Sequence, residues 1–188
     1  DLAFAITSSF EAGIHVNESV NLSFVGDPAK TLLYKAPSNN FEDEIQMEEI
    51  VDSLYNDESS WGTGGALNVQ RDTSDYADFG WGFYNADNHS ITGNRVFVIK
   101  TRSNEYRKFF IESLAGGIYT VKHAALDGSD QKVAIIDKGA DEGKNLLLFS
   151  FTDNSVLQVL PEAWDLVFQR YSDLDPSNVG IEVEYTVT

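Results

Sequence analysis

Three histidines, His15, His89 and His123, and a single methionine, Met47, are the side chains of this chain best suited to ligate a transition metal or move a proton near neutral pH. None of them stands at a catalytic spacing. No Ser-His-Asp set can be assembled, and no cysteine exists to supply a nucleophile or a zinc thiolate. The glycines of Gly62-Thr63-Gly64-Gly65 do not follow a strand and open a helix, as a phosphate-cradling loop requires. Oxygen ligands are plentiful. Asp173-Leu174-Asp175-Pro176-Ser177-Asn178 offers Asp173 and Asp175 to a calcium ion, but it lacks the spacing and glycine of an EF-hand loop. Asp127-Gly128-Ser129-Asp130 reads first as a turn. These residue types point away from an enzyme.

The elements that must position such residues are short strands. Apolar runs recur with period two between turn signals. Leu32-Leu33-Tyr34 is one, closed by Pro37-Ser38-Asn39. Val96-Phe97-Val98-Ile99 turns through Arg102-Ser103-Asn104 into Glu105 to Ile111, a hairpin. Gly116-Gly117 breaks the chain before Ile118 to Ala125, which places His123 on one strand face with Tyr119 and Val121. His89 falls in the polar turn Asn88-His89-Ser90. Leu146 to Phe151 and Val156 to Leu160 flank Thr152-Asp153-Asn154-Ser155 as a further hairpin, ended by Pro161. Strands at this spacing without alternating helices predict an all-β sheet or sandwich. One segment departs. Met47, Ile50, Val51, Leu54 and Tyr55 follow a helical period, with Asn40 as N-cap and acidic residues in the first turn, so an amphipathic helix is predicted over about residues 41–55. In that helix Met47 belongs to the core stripe.

The chain has 188 residues and a net charge of −17, with 13 basic side chains. Nucleic-acid binding rests on Lys and Arg neutralising phosphates, so this balance excludes it and disfavours anionic lipid. No apolar run approaches the ~20 residues of a transmembrane helix. The acidic balance without cysteine suits an exported or surface protein.

A motif occurs at both ends. Trp164-Asp165-Leu166-Val167-Phe168 precedes Gly180-Ile181-Glu182-Val183, and Asp1-Leu2-Ala3-Phe4 precedes Gly13-Ile14-His15-Val16. His15 thus corresponds to Glu182. The recurrence predicts two related units: residues 1–145, beginning inside the first motif, and 146–188, the start of a repeated unit packed on the first. Strands at the chain ends would need edge partners, which other protein segments or copies of the chain could supply by strand addition. Trp164 is expected to anchor a core, with Asp165 capping a turn or pairing with Arg170 beside Tyr171.

An ordered series runs along most of the chain: Trp61-Gly62 through Ala66, Gly80-Trp81-Gly82-Phe83-Tyr84-Asn85, Val96-Phe97-Val98-Ile99-Lys100-Thr101, Tyr119-Thr120-Val121, and Trp164-Asp165-Leu166-Val167-Phe168-Gln169-Arg170-Tyr171. It resembles the HmuY family of Bacteroidetes, especially longer flavobacterial members with type IX secretion signals. The resemblance implies an all-β fold, export to the cell surface or medium, and haem capture in the best-known members, which use His pairs or methionines. Here the stretch from Ser59 to Asp78 has neither residue, leaving His89 and His123 as the candidate haem ligands. The expectation is a non-enzymatic exported module, structural or adhesive within a larger secreted protein. The alternative is a surface protein binding haem or another small hydrophobic ligand.

Overall fold

The computed structural model describes residues 1–8, 11–16, 31–141 and 143–158, and the backbone of two further strands at 170–174 and 182–186. The architecture is all-β. One antiparallel sheet contains β1 (Leu2–Ala5), β2 (Ile14–Val16), β11 (Leu146–Ser150) and β12 (Ser155–Leu157), in the order β12-β11-β1-β2. The larger sheet contains β3 (Leu32–Lys35), β4 (Ser53–Leu54), β7 (Val96–Lys100), β8 (Tyr106–Ala115), β9 (Ile118–Ala125) and β10 (Lys132–Asp137), in the order β10-β9-β8-β7-β3-β4. A hairpin of β5 (Gly82–Asn85) and β6 (Ser90–Gly93) joins it through β8. The hairpins predicted at 95–111 and 146–160 are therefore formed, the second shortened to its described residues. No helix among the described residues is long and apolar enough to cross a membrane.

The main core lies between the sheets. Leu2, Phe4, Ile14, Leu147 and Phe149 come from the smaller sheet, and Phe97, Ile99, Phe109, Ile111, Tyr119 and Val121 from the larger. The run Val96 to Ile99 is buried throughout because the larger sheet is covered on both faces. Phe97 and Ile99 enter the main core, whereas Val96 and Val98 join Ala36, Phe41, Ile45 and Ala124 in a second cluster on the other side.

The cover of that second cluster corrects the predicted helix over 41–55. The segment contains only a 3-10 turn at Met47–Glu49 and the strand β4, and the one α-helix among the described residues is a single turn, α1 (Glu58–Trp61), capped by Asp57. The reason is where its backbone hydrogen bonds go. Ile45 N–H donates to the Leu126 carbonyl, the Asp43 carbonyl accepts from Lys108 Nζ at 2.6 Å, and Lys35 N–H donates to the Asp52 carbonyl. Phe41 lies under two cations, Lys108 at 5.2 Å and Lys122 at 4.4 Å from its ring centre, and Lys122 also pairs with Glu42 at 2.8 Å. Burial lowers the Lys108 pKa, with nearby carboxylates opposing. Sideways bonds to the sheet thus replace the i to i−4 ladder, and Phe41 and Ile45 supply the packing. Met47 is 51% exposed and Val51 72%, so neither forms the expected core stripe. Met47→Lys and Val51→Lys are accordingly expected to move stability by less than about 0.5 kcal/mol. Ile45→Ala should cost about 2 kcal/mol. Urea unfolding of the three variants distinguishes this cover from a helix.

β1 is an interior strand, bonded to β11 on one side and β2 on the other, so the edge exposure predicted for the N-terminal strand does not arise. The outer edge of β2 is occupied by side chains. Ile14 N–H donates to Asn68 Oδ1 (3.0 Å), Val16 N–H to Asn56 Oδ1 (3.1 Å), and Asn56 Nδ2 donates back to the Val16 carbonyl. The hairpin of β11 and β12, assigned by the repeat to a second unit, lies in the same sheet as β1 and β2. β13 (Arg170–Leu174) and β14 (Glu182–Thr186) pair with each other in antiparallel fashion.

Candidate ligand-binding site

β8 is ten residues long and changes partner along its length. Its first half pairs with β7, its second half with β6, and β9 runs along the whole. A bulge at Glu112, between Ile111 and Ser113, marks the change. Beside it, a Cβ on Gly93 would stand 1.8 Å from the Ile111 carbonyl oxygen, so only glycine lets the end of β6 approach so closely. The result is a cross-strand row, Tyr84 opposite Ile91, Ile91 opposite Leu114, and Leu114 opposite Tyr119, spanning four strands.

The outer part of that row forms the floor of an open cleft of about 510 Å³. Ile91 and Leu114 supply apolar floor, and Tyr84 rises beside Phe79, their ring centres 6.2 Å apart. Tyr76 adds a third aromatic ring and is 77% exposed. At the opposite rim Gly116 and Gly117 make the two-residue turn between β8 and β9. Both have positive φ, 58° and 81°, the conformation that a tight hairpin demands and glycine supplies without strain. A Cβ at either would meet nothing within 4 Å, so this rim is open.

His89 completes the cleft. It occupies a left-handed position, φ 54°, in the turn between β5 and β6, and its Nδ1 lies 2.6 Å from the Tyr84 hydroxyl. With the phenol as donor, Nε2–H remains as a donor and the phenol oxygen can still accept. Asn88 also lines the cleft. Its Oδ1 accepts from Ser90 N and Oγ, leaving its amide N–H groups uncommitted among the described residues. Among the described residues no lysine, arginine or carboxylate lines the cleft.

The loop carrying Tyr76 and Phe79 is held by a buried ion pair. Arg95 Nη1 and Nη2 each donate to an Asp78 oxygen at 2.8 Å, and Nη1 donates to the Gly80 carbonyl at 2.7 Å. Asp78 also accepts from the backbone N–H groups of Asp72 (2.9 Å) and Gly80 (2.8 Å). Burial alone would raise the Asp78 pKa. Arg95 and the two backbone donors outweigh it and hold the carboxyl at about 2. Behind the loop, Asn68 donates to the Ala12 and Phe79 carbonyls, and buried Trp81 donates from Nε1 to the Ala12 carbonyl at 3.1 Å. The cleft wall is thereby tied to β2 and the core.

The other candidates lie elsewhere. His123 is buried on the inner face with Tyr119 and Val121. Its Nδ1 accepts from Arg107 Nε at 2.9 Å, which sets the Nε2–H tautomer bonded to Asn154 Oδ1 at 2.8 Å. Neither nitrogen is free for iron, and Phe149 and Phe151 pack edge-on to the ring. His123 therefore cannot join His89 as a haem ligand in this arrangement. His15 lies on β2, opposite Ala3, away from the cleft-lining residues. Asp130, in the 127–130 turn, pairs through Oδ2 with Arg107 at 3.1 Å and Lys132 at 3.2 Å. Among the described residues no three His, Asp or Glu side chains converge on a metal position. Trp164, Asp165 and Asp175 lie outside the described residues; Arg170, Tyr171 and Asp173 belong to β13, whose described part is the backbone alone.

Burial lowers the His123 pKa; the hydrogen bond to Asn154 and the Asp130 charge oppose it, and the nearby Arg107 and Lys132 charges add to the lowering. Burial lowers that of His15 as well. Below the ordinary histidine value of about 6.5 the unfolded chain binds protons that the folded chain refuses, so stability falls as pH drops through that value. Urea midpoints at pH 7.5 and 5.5 should differ, the lower at 5.5, and His123→Gln should shrink the difference. Equal midpoints in the wild type would show that neither histidine is held neutral by the fold.

No protein-family model matches the chain, and comparison with curated proteins and with solved structures likewise found no match.

Proposed function

We propose that this chain is a non-enzymatic recognition module of an exported, cell-surface or secreted protein, attaching that protein to its surroundings through a small ligand group held in the aromatic cleft. The observation that carries this reading is the cleft itself. Three aromatic rings and two aliphatic side chains enclose about 510 Å³ beside a polar rim, on a wall pinned by a buried ion pair. Volumes and linings of this kind typify ligand sites. Tyr76 presents a large aromatic surface to water, which a ligand would cover. Export rests on the HmuY resemblance and the acidic composition without cysteine. Assembly with other protein segments or further copies would use strand addition at β10, a terminal strand whose Val133 and Ile135 are exposed.

The test is a shift map. The isotope-labelled protein is screened against a mixed library of neutral ring compounds, and backbone amide shifts are recorded. Perturbations should cluster at residues 76–91 and 114–117. Perturbations confined to other surfaces, or none at all, would overturn the reading.

The alternative, haem capture, is favoured by the Tyr84–His89 pair, since a phenolate hydrogen-bonded to an imidazole can ligate ferric iron. Against it, no lysine or arginine among the described residues lines the cleft to meet the propionates. A sharp Soret band at one equivalent of haemin, lost in Tyr84→Phe, would select this alternative.

A further inference from the structure

Resting on the reading of the cleft as a recognition site, we propose that its ligand is a neutral pyranose, either a single sugar or one unit of a longer glycan. A pyranose has an apolar C–H face and a rim of hydroxyls that both donate and accept. The cleft has the complementary pair of surfaces. Tyr76, Phe79 and Tyr84 provide flat apolar faces. The polar rim consists of the Tyr84 phenol, the His89 imidazole and the Asn88 carboxamide. The Tyr84–His89 hydrogen bond fixes the two rings relative to each other, so a donor and an acceptor are organised before a ligand arrives.

Charge separates this ligand class from its rivals. Among the described residues no lysine or arginine lines the cleft, and the whole chain carries −17. A nucleotide, a tetrapyrrole dicarboxylate or a sulfated or carboxylated sugar would enter without a counter-ion and against the field of the protein. A purely hydrocarbon ligand would desolvate the phenol, imidazole and amide without giving them partners. A neutral ring with one apolar face avoids both penalties. The side-chain-free rim at Gly116-Gly117 leaves room for a linked sugar to continue out of the site.

The test is an aromatic NMR titration of the whole chain with neutral methyl glycosides of glucose, galactose, mannose, fucose, xylose and both N-acetylhexosamines. Haemin, sialic acid and 2-naphthol serve as separate arms. At least one neutral glycoside should give saturable shifts of the Tyr76, Tyr84 and His89 rings in the millimolar range. Tyr76→Ala, a substitution at an exposed position, should weaken that binding about tenfold, and His89→Ala should also weaken it. Saturable cleft shifts with 2-naphthol or haemin and with no neutral sugar would overturn the pyranose assignment while leaving a recognition site in place. Preference for sialic acid would overturn the argument from charge. No cleft shift with any probe would overturn both the assignment and the recognition reading on which it rests.

Discussion

Asp78→Ala is expected to destabilise the protein by about 3–5 kcal/mol, because it leaves the Arg95 guanidinium largely buried with no opposing charge. Three further bonds lose their geometry with it. The Asp72 and Gly80 N–H groups lose their acceptor, and the Gly80 carbonyl depends on an Arg95 held in place by Asp78. Arg95→Ala should cost a similar amount, since it strands a carboxylate that is almost wholly buried. The double variant should cost distinctly less than the sum of the two single ones, and thermal melts of all four proteins measure that coupling. A pH dependence accompanies it. The folded-state pKa of Asp78 is about 2, below its ordinary value of 3.8, so the pair's contribution is fully present above the ordinary value and lost as pH falls toward 2. In Asp78→Ala that part of the acid sensitivity should vanish. An Asp78→Ala protein melting within a degree or two of wild type would show that the ion pair does not hold the loop.

Trp81→Ala should cost a comparable ~3–5 kcal/mol. The indole is fully buried, packs 6.0 Å from the Tyr119 ring and donates to the Ala12 carbonyl. Truncation opens a cavity between the sheets and removes one of the two donors to that carbonyl, leaving the one from Asn68. Trp81→Phe fills more of the space and should cost clearly less. Both variants should also loosen the cleft wall, because Trp81 directly follows the Asp78–Gly80 turn. Urea unfolding gives the stabilities, and equal midpoints for Trp81→Ala and wild type would place the residue outside the core.

The strand framework was legible because its signals are local. Alternating apolar residues and turn pairs such as Gly116-Gly117 and Asp127-Gly128 mark the boundaries of β8, β9 and β10 closely. The 41–55 segment was not legible, because the groups that capture its backbone, Lys108 and Leu126, lie some sixty to eighty residues away. A helical period carries no information about such partners. A comparable distance hides the role of Asn68, which bonds to Ile14 and Ala12 more than fifty residues earlier, and the Asp78–Arg95 pair joins a loop to a strand 17 residues on, at no spacing that a periodic pattern marks. The cleft combines a loop, a hairpin and a turn across some forty residues, each ordinary on its own. A signal was present in the density of aromatic residues from Tyr76 to Tyr84. The sequence offers His89 as an iron ligand; its bond to Tyr84 depends on a left-handed turn residue. The period-two pattern puts His123 on its strand face, yet only the fold reveals that both its nitrogens are committed.

The most direct test of the cleft as a recognition site follows the Tyr84 and His89 ring resonances while the tightest neutral ring compound from the library is added to the intact chain. Both rings should shift together along one saturable curve that fits a single site per chain, and Tyr76→Ala should weaken that binding about tenfold. Saturable binding that leaves Tyr84 and His89 unmoved would contradict the account.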